Sequence, residues 1–184
     1  MNRWACAAIV GGGAAAVYLG VVTGAVNVDV GVGRRVRPLG PLSVDIEASR
    51  DLVFDVLAEP YLGRQTRAVA EKITVLERGN DMVLAAHRTP VRGGLAAVTV
   101  ETVRFTQPGR VDFRLVRGPV PHVVEQFLLE ERESGCGLSY TGELGTDGWA
   151  VGAAWGNVVA RRWEAVVAAT FAAVKAEAER RARR

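Results

Sequence analysis

Two glutamates and a histidine are the residues of this chain best placed to move a proton. Glu101 lies in "VTVETVRF", in step with Val103 and Phe105, and Glu125 lies in "HVVEQFLL", in step with Val123, Phe127 and Leu129. Alternate residues of a strand share a face. If the apolar partners point into a core, the carboxylates go with them. Burial raises a carboxylate's pKa toward neutrality, where it can serve as acid and as base. His87 keeps step with Val83 and Ala85. It reads as a hydrogen-bonded histidine of the core or its rim, and is the third acid/base candidate. His122 follows the turn "GPVP" and is expected to be exposed. No Ser-His-Asp spacing can be argued. Cys6 and Cys136 have no neighbours at metal-ligand spacing, so neither a metal nor another cofactor is expected.

A cation is expected beside these carboxylates. Taking about 100° per residue, Arg162 falls close to Trp155 on a helical stripe formed by Val151, Trp155, Val159, Trp163, Val166, Thr170 and Val174. A buried arginine needs a partner. Glu101, Glu125 or an acidic group of a ligand would serve, unless Arg162 reaches water at a rim. The expected lining of a binding site is Leu57, Tyr61, Phe105, Phe113, Leu115, Phe127, Leu129, Tyr140, Trp155 and Val159, together with Arg162. The same residues would equally fill a dry core.

These side chains need elements to hold them. "LSVDIEA" (Leu42–Ala48) alternates as a strand, and Ser49 caps a helix carrying Leu52, Val53, Val56 and Leu57 that Pro60 ends. A second short helical piece is expected over Tyr61–Gln65. Strands follow over Lys72–Arg78, Met82–Arg88, Ala96–Thr106, Arg110–Arg117, Val123–Glu131 and Gly137–Gly145. Their short turns require antiparallel neighbours. A long helix from Ala150 to near Arg180 closes the chain, and its stripe must cover one face of the sheet.

The chain begins differently. Trp4–Val28 contains no charged residue, long enough for a helix to span a bilayer. Gly11, Gly13 and Ala16 spell G-x-G-x-x-A with Asp29 downstream, yet the following segment has no polar face and no βαβ units follow, which argues against dinucleotide binding. Residues 1–29 are therefore read as a transmembrane or signal-anchor helix, 30–40 as a linker and 41–184 as the folded domain. Arg34, Arg35 and Arg37 favour a single-pass protein of the cell membrane with that domain in the cytoplasm. Cleavage after Thr23-Gly24-Ala25 and secretion is the alternative. Ala8, Gly12, Ala16, Gly20 and Gly24 form a small-residue stripe that offers a route to a homodimer. The terminal "RRARR" could meet anionic lipid or end a helix in water. With 23 basic and 20 acidic residues, the balance gives no footprint for nucleic acid.

"VDIEASRDLVFDVLAEPY", "VETVRFTQPGRVDFRLVRGPVP", "FLLEERESGCGLSYTGEL" and the closing Trp-containing helix resemble the START/Bet v 1-like (SRPBCC) superfamily, whose bacterial members include polyketide cyclase/dehydrase-like proteins. The resemblance spans about residues 41–180. Cys136-Gly137 stands where a Thr often precedes the L-x-Y strand. It implies an α+β helix-grip fold: a curved antiparallel sheet of about seven strands around a long C-terminal helix, with two short helices after the first strand. Here one hydrophobic helix would precede it. The implied partner is an apolar small molecule or lipid held between sheet and helix. Three functions stay open: a membrane-anchored binding protein, a cyclase/dehydratase-like enzyme using a carboxylate or histidine, and a membrane-associated scaffold or assembly factor.

Overall fold

The computed structural model describes residues 16–63, 67–91 and 94–184. Strand β1 (Arg35–Ile46) leads into helix α1 (Arg50–Leu62) and the short helix α2 (Arg67–Ala70). Strands β2 (Ile73–Arg78), β3 (Met82–Pro90), β4 (Ala96–Thr106), β5 (Arg110–Arg117), β6 (His122–Arg132) and β7 (Gly135–Thr146) follow, then helix α3 (Trp149–Ala182). The seven strands form one antiparallel sheet in the order β1-β7-β6-β5-β4-β3-β2. Helix α3 packs against β1, β7 and α1. This is the helix-grip arrangement.

Local sequence explains most element ends. The Ser49 hydroxyl accepts a hydrogen bond from the Leu52 N–H, and Asp51 sits in the first turn of α1. Pro60 lies within the last turn of α1 rather than ending it, and the second helix starts at Arg67, beyond the expected Tyr61–Gln65. β1 begins inside the stretch read as a linker. Arg35 pairs with Thr146 and Leu39 with Gly142 before one extra residue shifts the register at Leu42. That bulge breaks the alternation, so the first half of the strand is hidden from a period-two reading.

The uncharged N-terminal stretch ends differently from a membrane helix. Its residues 4–15 lie outside the described residues. Residues 16–22 are helical, after which the chain turns at Thr23–Gly24 and runs on without helix to β1. Among the described residues no helix is long and apolar enough to cross a membrane. Gly24 is buried against the backbone of Val98, where an added Cβ would stand 2.1 Å from the Val98 carbonyl oxygen. The described end of the small-residue stripe thus serves an intramolecular contact; Ala8 and Gly12 lie outside the described residues.

The stripe of α3 also departs from expectation. Gly156, Val159, Ala160, Val167, Phe171, Val174 and Ala178 are its buried residues. Val151 and Val166 are exposed. Trp155 lies at the edge of the buried face, about 100° from Gly156 at its centre. Measuring from Trp155 therefore rotates the whole stripe outward, and Arg162 is in fact exposed.

Candidate functional site

Both glutamates enter the core. Glu101 is 4% exposed and Glu125 5%. A bulge prepares the place of Glu101. Val100 pairs with Arg117 and Glu101 with Leu115, so Val116 is an extra residue on β5. Such an insertion twists the strands and re-aims side chains.

Glu101 anchors a chain of polar groups. Its Oε1 accepts from the Thr99 hydroxyl, and its Oε2 lies 2.9 Å from His87 Nδ1. His87 Nε2 lies 3.1 Å from the Tyr61 hydroxyl. With Nδ1–H donating to the carboxylate, Nε2 of the neutral ring accepts the Tyr61 proton. Three elements supply this relay: α1 gives Tyr61, β3 gives His87, β4 gives Glu101. The β3–β4 register sets His87 opposite Thr99 and Ala85 opposite Glu101.

Glu125 stands in the same core. Its Oε1 accepts from Trp163 Nε1 on α3 at 2.6 Å. The fully buried Tyr140 hydroxyl lies near it, outside hydrogen-bond geometry to any described residue. Around these groups the rings pack edge to face or tilted, with Phe113–Phe127 centroids 5.0 Å apart and Phe127–Phe171 centroids 5.5 Å apart.

Electrostatics follows from the burial. Withdrawal from water, then the charge of Glu101, push the Glu125 carboxyl up to about 7, against the pull of the nearby Tyr140 hydroxyl, the Trp163 donor and His87. Burial alone would lower the His87 pKa. The charge and hydrogen bond of Glu101, with the field of Glu125, outweigh it and hold the ring above its ordinary value. Tyr61 is pushed far up by burial and by both carboxylates, and Tyr140 chiefly by burial and Glu125. Glu125 is therefore poised to exchange a proton near neutral pH.

The expected lining gathers as a group. Leu57, Tyr61, Phe113, Phe127, Leu129, Tyr140 and Val159 belong to the core, with Phe105, Leu115 and Trp155 packed against it. Arg162 does not join them: His87 takes Glu101 and Trp163 takes Glu125, so neither carboxylate needs that cation. His122 opens strand β6 rather than sitting in the turn before it, and its Nε2 lies 2.8 Å from Glu143. Sequence reasoning missed Thr99 and Trp163. The signal for Trp163 was its indole N–H on a buried stripe, which calls for an acceptor. Two of the basic groups read against a membrane are paired within the protein: Arg34 binds Asp147 and Asp29, and Arg181 binds Glu177 and Glu59.

Two open depressions of about 320 and 310 Å³ occur among the described residues. One runs along Arg110, Asp112, Glu125, Gln126 and Thr141, the other along Phe54, Glu59, Gln107 and Arg181. Neither is lined by Tyr61, His87 or Glu101. No cluster of metal-ligating side chains occurs among the described residues.

No protein-family model and no curated protein matches the sequence. Solved structures do match in fold. The Zhui aromatase/cyclase from Streptomyces sp. R1128 superposes with a TM-score of 0.67 at 19% identity, over 80% of this chain and 96% of that one. The di-domain ARO/CYC StfQ of the steffimycin biosynthetic pathway gives 0.62 at 14% identity, and BexL of the BE-7585A pathway 0.57 at 15%. This chain spans about half of each di-domain protein: 52% of StfQ and 50% of BexL. At these identities the likeness establishes the helix-grip fold and nothing finer.

Proposed function

We propose that this protein binds an apolar, ring-containing carbonyl compound inside the grip and performs acid–base chemistry on it, of the kind a cyclase or dehydratase needs. The observation that carries the reading is the Tyr61–His87–Glu101 relay, placed with Glu125 in one aromatic core. Buried titratable groups cost stability, and such arrangements gather at functional sites. In this reading His87 removes or returns a proton beside the substrate carbonyl. Glu101 steadies the charged ring, and Glu125 acts as the second acid. The aromatase/cyclase neighbours support the reading through the shared fold.

A carrier function is the second reading. The nine apolar and aromatic residues that share the core with the relay favour it, because they suit retention of a ligand without conversion. The membrane attachment expected from residues 4–28 has no support in the described part of that stretch, and neither reading needs it.

Deuterium exchange at the α-carbon of 2-tetralone, followed by NMR, separates the two. Wild type should accelerate exchange about a hundredfold over buffer, and His87→Gln should lose most of that gain. Binding of 2-tetralone without acceleration leaves the carrier, and no binding removes both readings.

A further inference from the structure

Residues 16–34 precede the first strand of the grip and are fastened across one end of it. The helical stretch 16–22 sets Tyr18 edge-on to Trp155, ring centroids 6.2 Å apart, and buries Val22. Trp155 itself reaches over to the Pro119 carbonyl in the β5–β6 connection, at 2.8 Å. The Thr23 carbonyl then accepts from the Val98 N–H at 3.3 Å, just beyond the last β4–β5 pair, Val100 with Arg117. Gly24, at φ +71°, lies where any side chain would meet Val98 and Gly118. Thr99 comes next on β4; it faces His87 across the ladder and donates to Glu101.

The far end of the segment is tied to the start of α3. Asp147 Oδ2 accepts from the N–H groups of Val30 and Gly31, each at 2.8 Å, and Oδ1 accepts from Arg34 Nε at 2.8 Å. Arg34 also pairs with Asp29. The Asp147 side chain is only 5% exposed, unusual for a carboxylate at a molecular surface. Arg34 and the two N–H groups hold it down at about 2, well below the ordinary range. The Gly148 and Trp149 N–H groups donate to Val32 and Gly33, and the Trp149 ring covers Gly33 so closely that a Cβ there would stand 2.4 Å away.

We propose that residues 16–34 are a strap that closes the end of the grip beside His87, with Asp147 as its latch. Its release opens the interior. That a substrate passes through the opening rests on the function proposed above; the closure itself does not.

The full chain tests this through His87. Diethylpyrocarbonate modification of that ring is timed by peptide mass spectrometry and compared with the wild-type rate. Amide hydrogen exchange over residues 16–24 is followed in parallel. Asp147→Ala and Arg34→Ala each remove charge-assisted hydrogen bonds, so exchange in the strap and modification of His87 should both rise about tenfold. Gly24→Ala, which acts at the other end, should do the same if Asp147→Ala fails to fold. Faster strap exchange with unchanged His87 modification would show that the strap covers something else. Unchanged exchange in all three variants would remove the latch. Either result leaves the tetralone assay standing, so the two proposals fail separately.

Discussion

Glu125 is the residue for which folding costs most, and pH reveals how much. Its carboxyl moves from 4.5 to about 7 through burial first and the charge of Glu101 second. A raised value in the fold means stability that is complete below the unfolded value and fades as pH rises through the folded one. The window therefore runs from about 4.5 to about 7, and the shift corresponds to about 3 kcal/mol. His87, also raised and facing Glu101, Tyr61 and Glu125, acts in the same sense. Stability of wild type in urea should fall between about pH 4.5 and about pH 7, and Glu125→Gln, which keeps the shape without the charge, should flatten the fall by roughly 3 kcal/mol. Parallel curves would show that this carboxyl ionises freely inside the core. Strand alternation alone placed Glu101 and Glu125 inside. Their partners were not legible, because His87, Tyr61 and Trp163 are brought together only by register and by helix rotation.

At the scale of elements, α3 is where sequence and structure part most clearly. Its length and its Val159 and Val174 were readable from period alone. Its rotation was not. The large ring of Trp155 marks an edge of the buried face, while small residues mark its centre, Gly156, Ala160 and Ala178. Large side chains at an edge still cover apolar surface, so size misleads about direction. The rotation has a measurable consequence. Phe171→Ala should cost about 3–5 kcal/mol by urea denaturation, as for a buried ring replaced by a void. Arg162→Ala, on the exposed side, should stay within about 0.5 kcal/mol. A large loss at Arg162 would restore the stripe drawn from Trp155. Strands β4 and β5 were legible to the residue, whereas β1 was shortened in the reading by its bulge and by Pro38 and Pro41.

For the whole molecule, an open sheet leaves two rims, β1 and β2. Unpaired strand rims invite a second chain to add its own strand. β1 has twelve residues, enough to act as a template, but Pro38 and Pro41 have no N–H to offer and the bulge beside them kinks the row. β2 has only six residues and carries its own extra residue, Leu76. The prolines that obscured β1 in the sequence thus guard the molecule against its own kind. Replacing Pro38 with Val should leave the fold in place and turn a clear concentrated solution into one that scatters light and binds thioflavin T. A variant that stays clear would mean that the rim is protected by the cover of α3 instead.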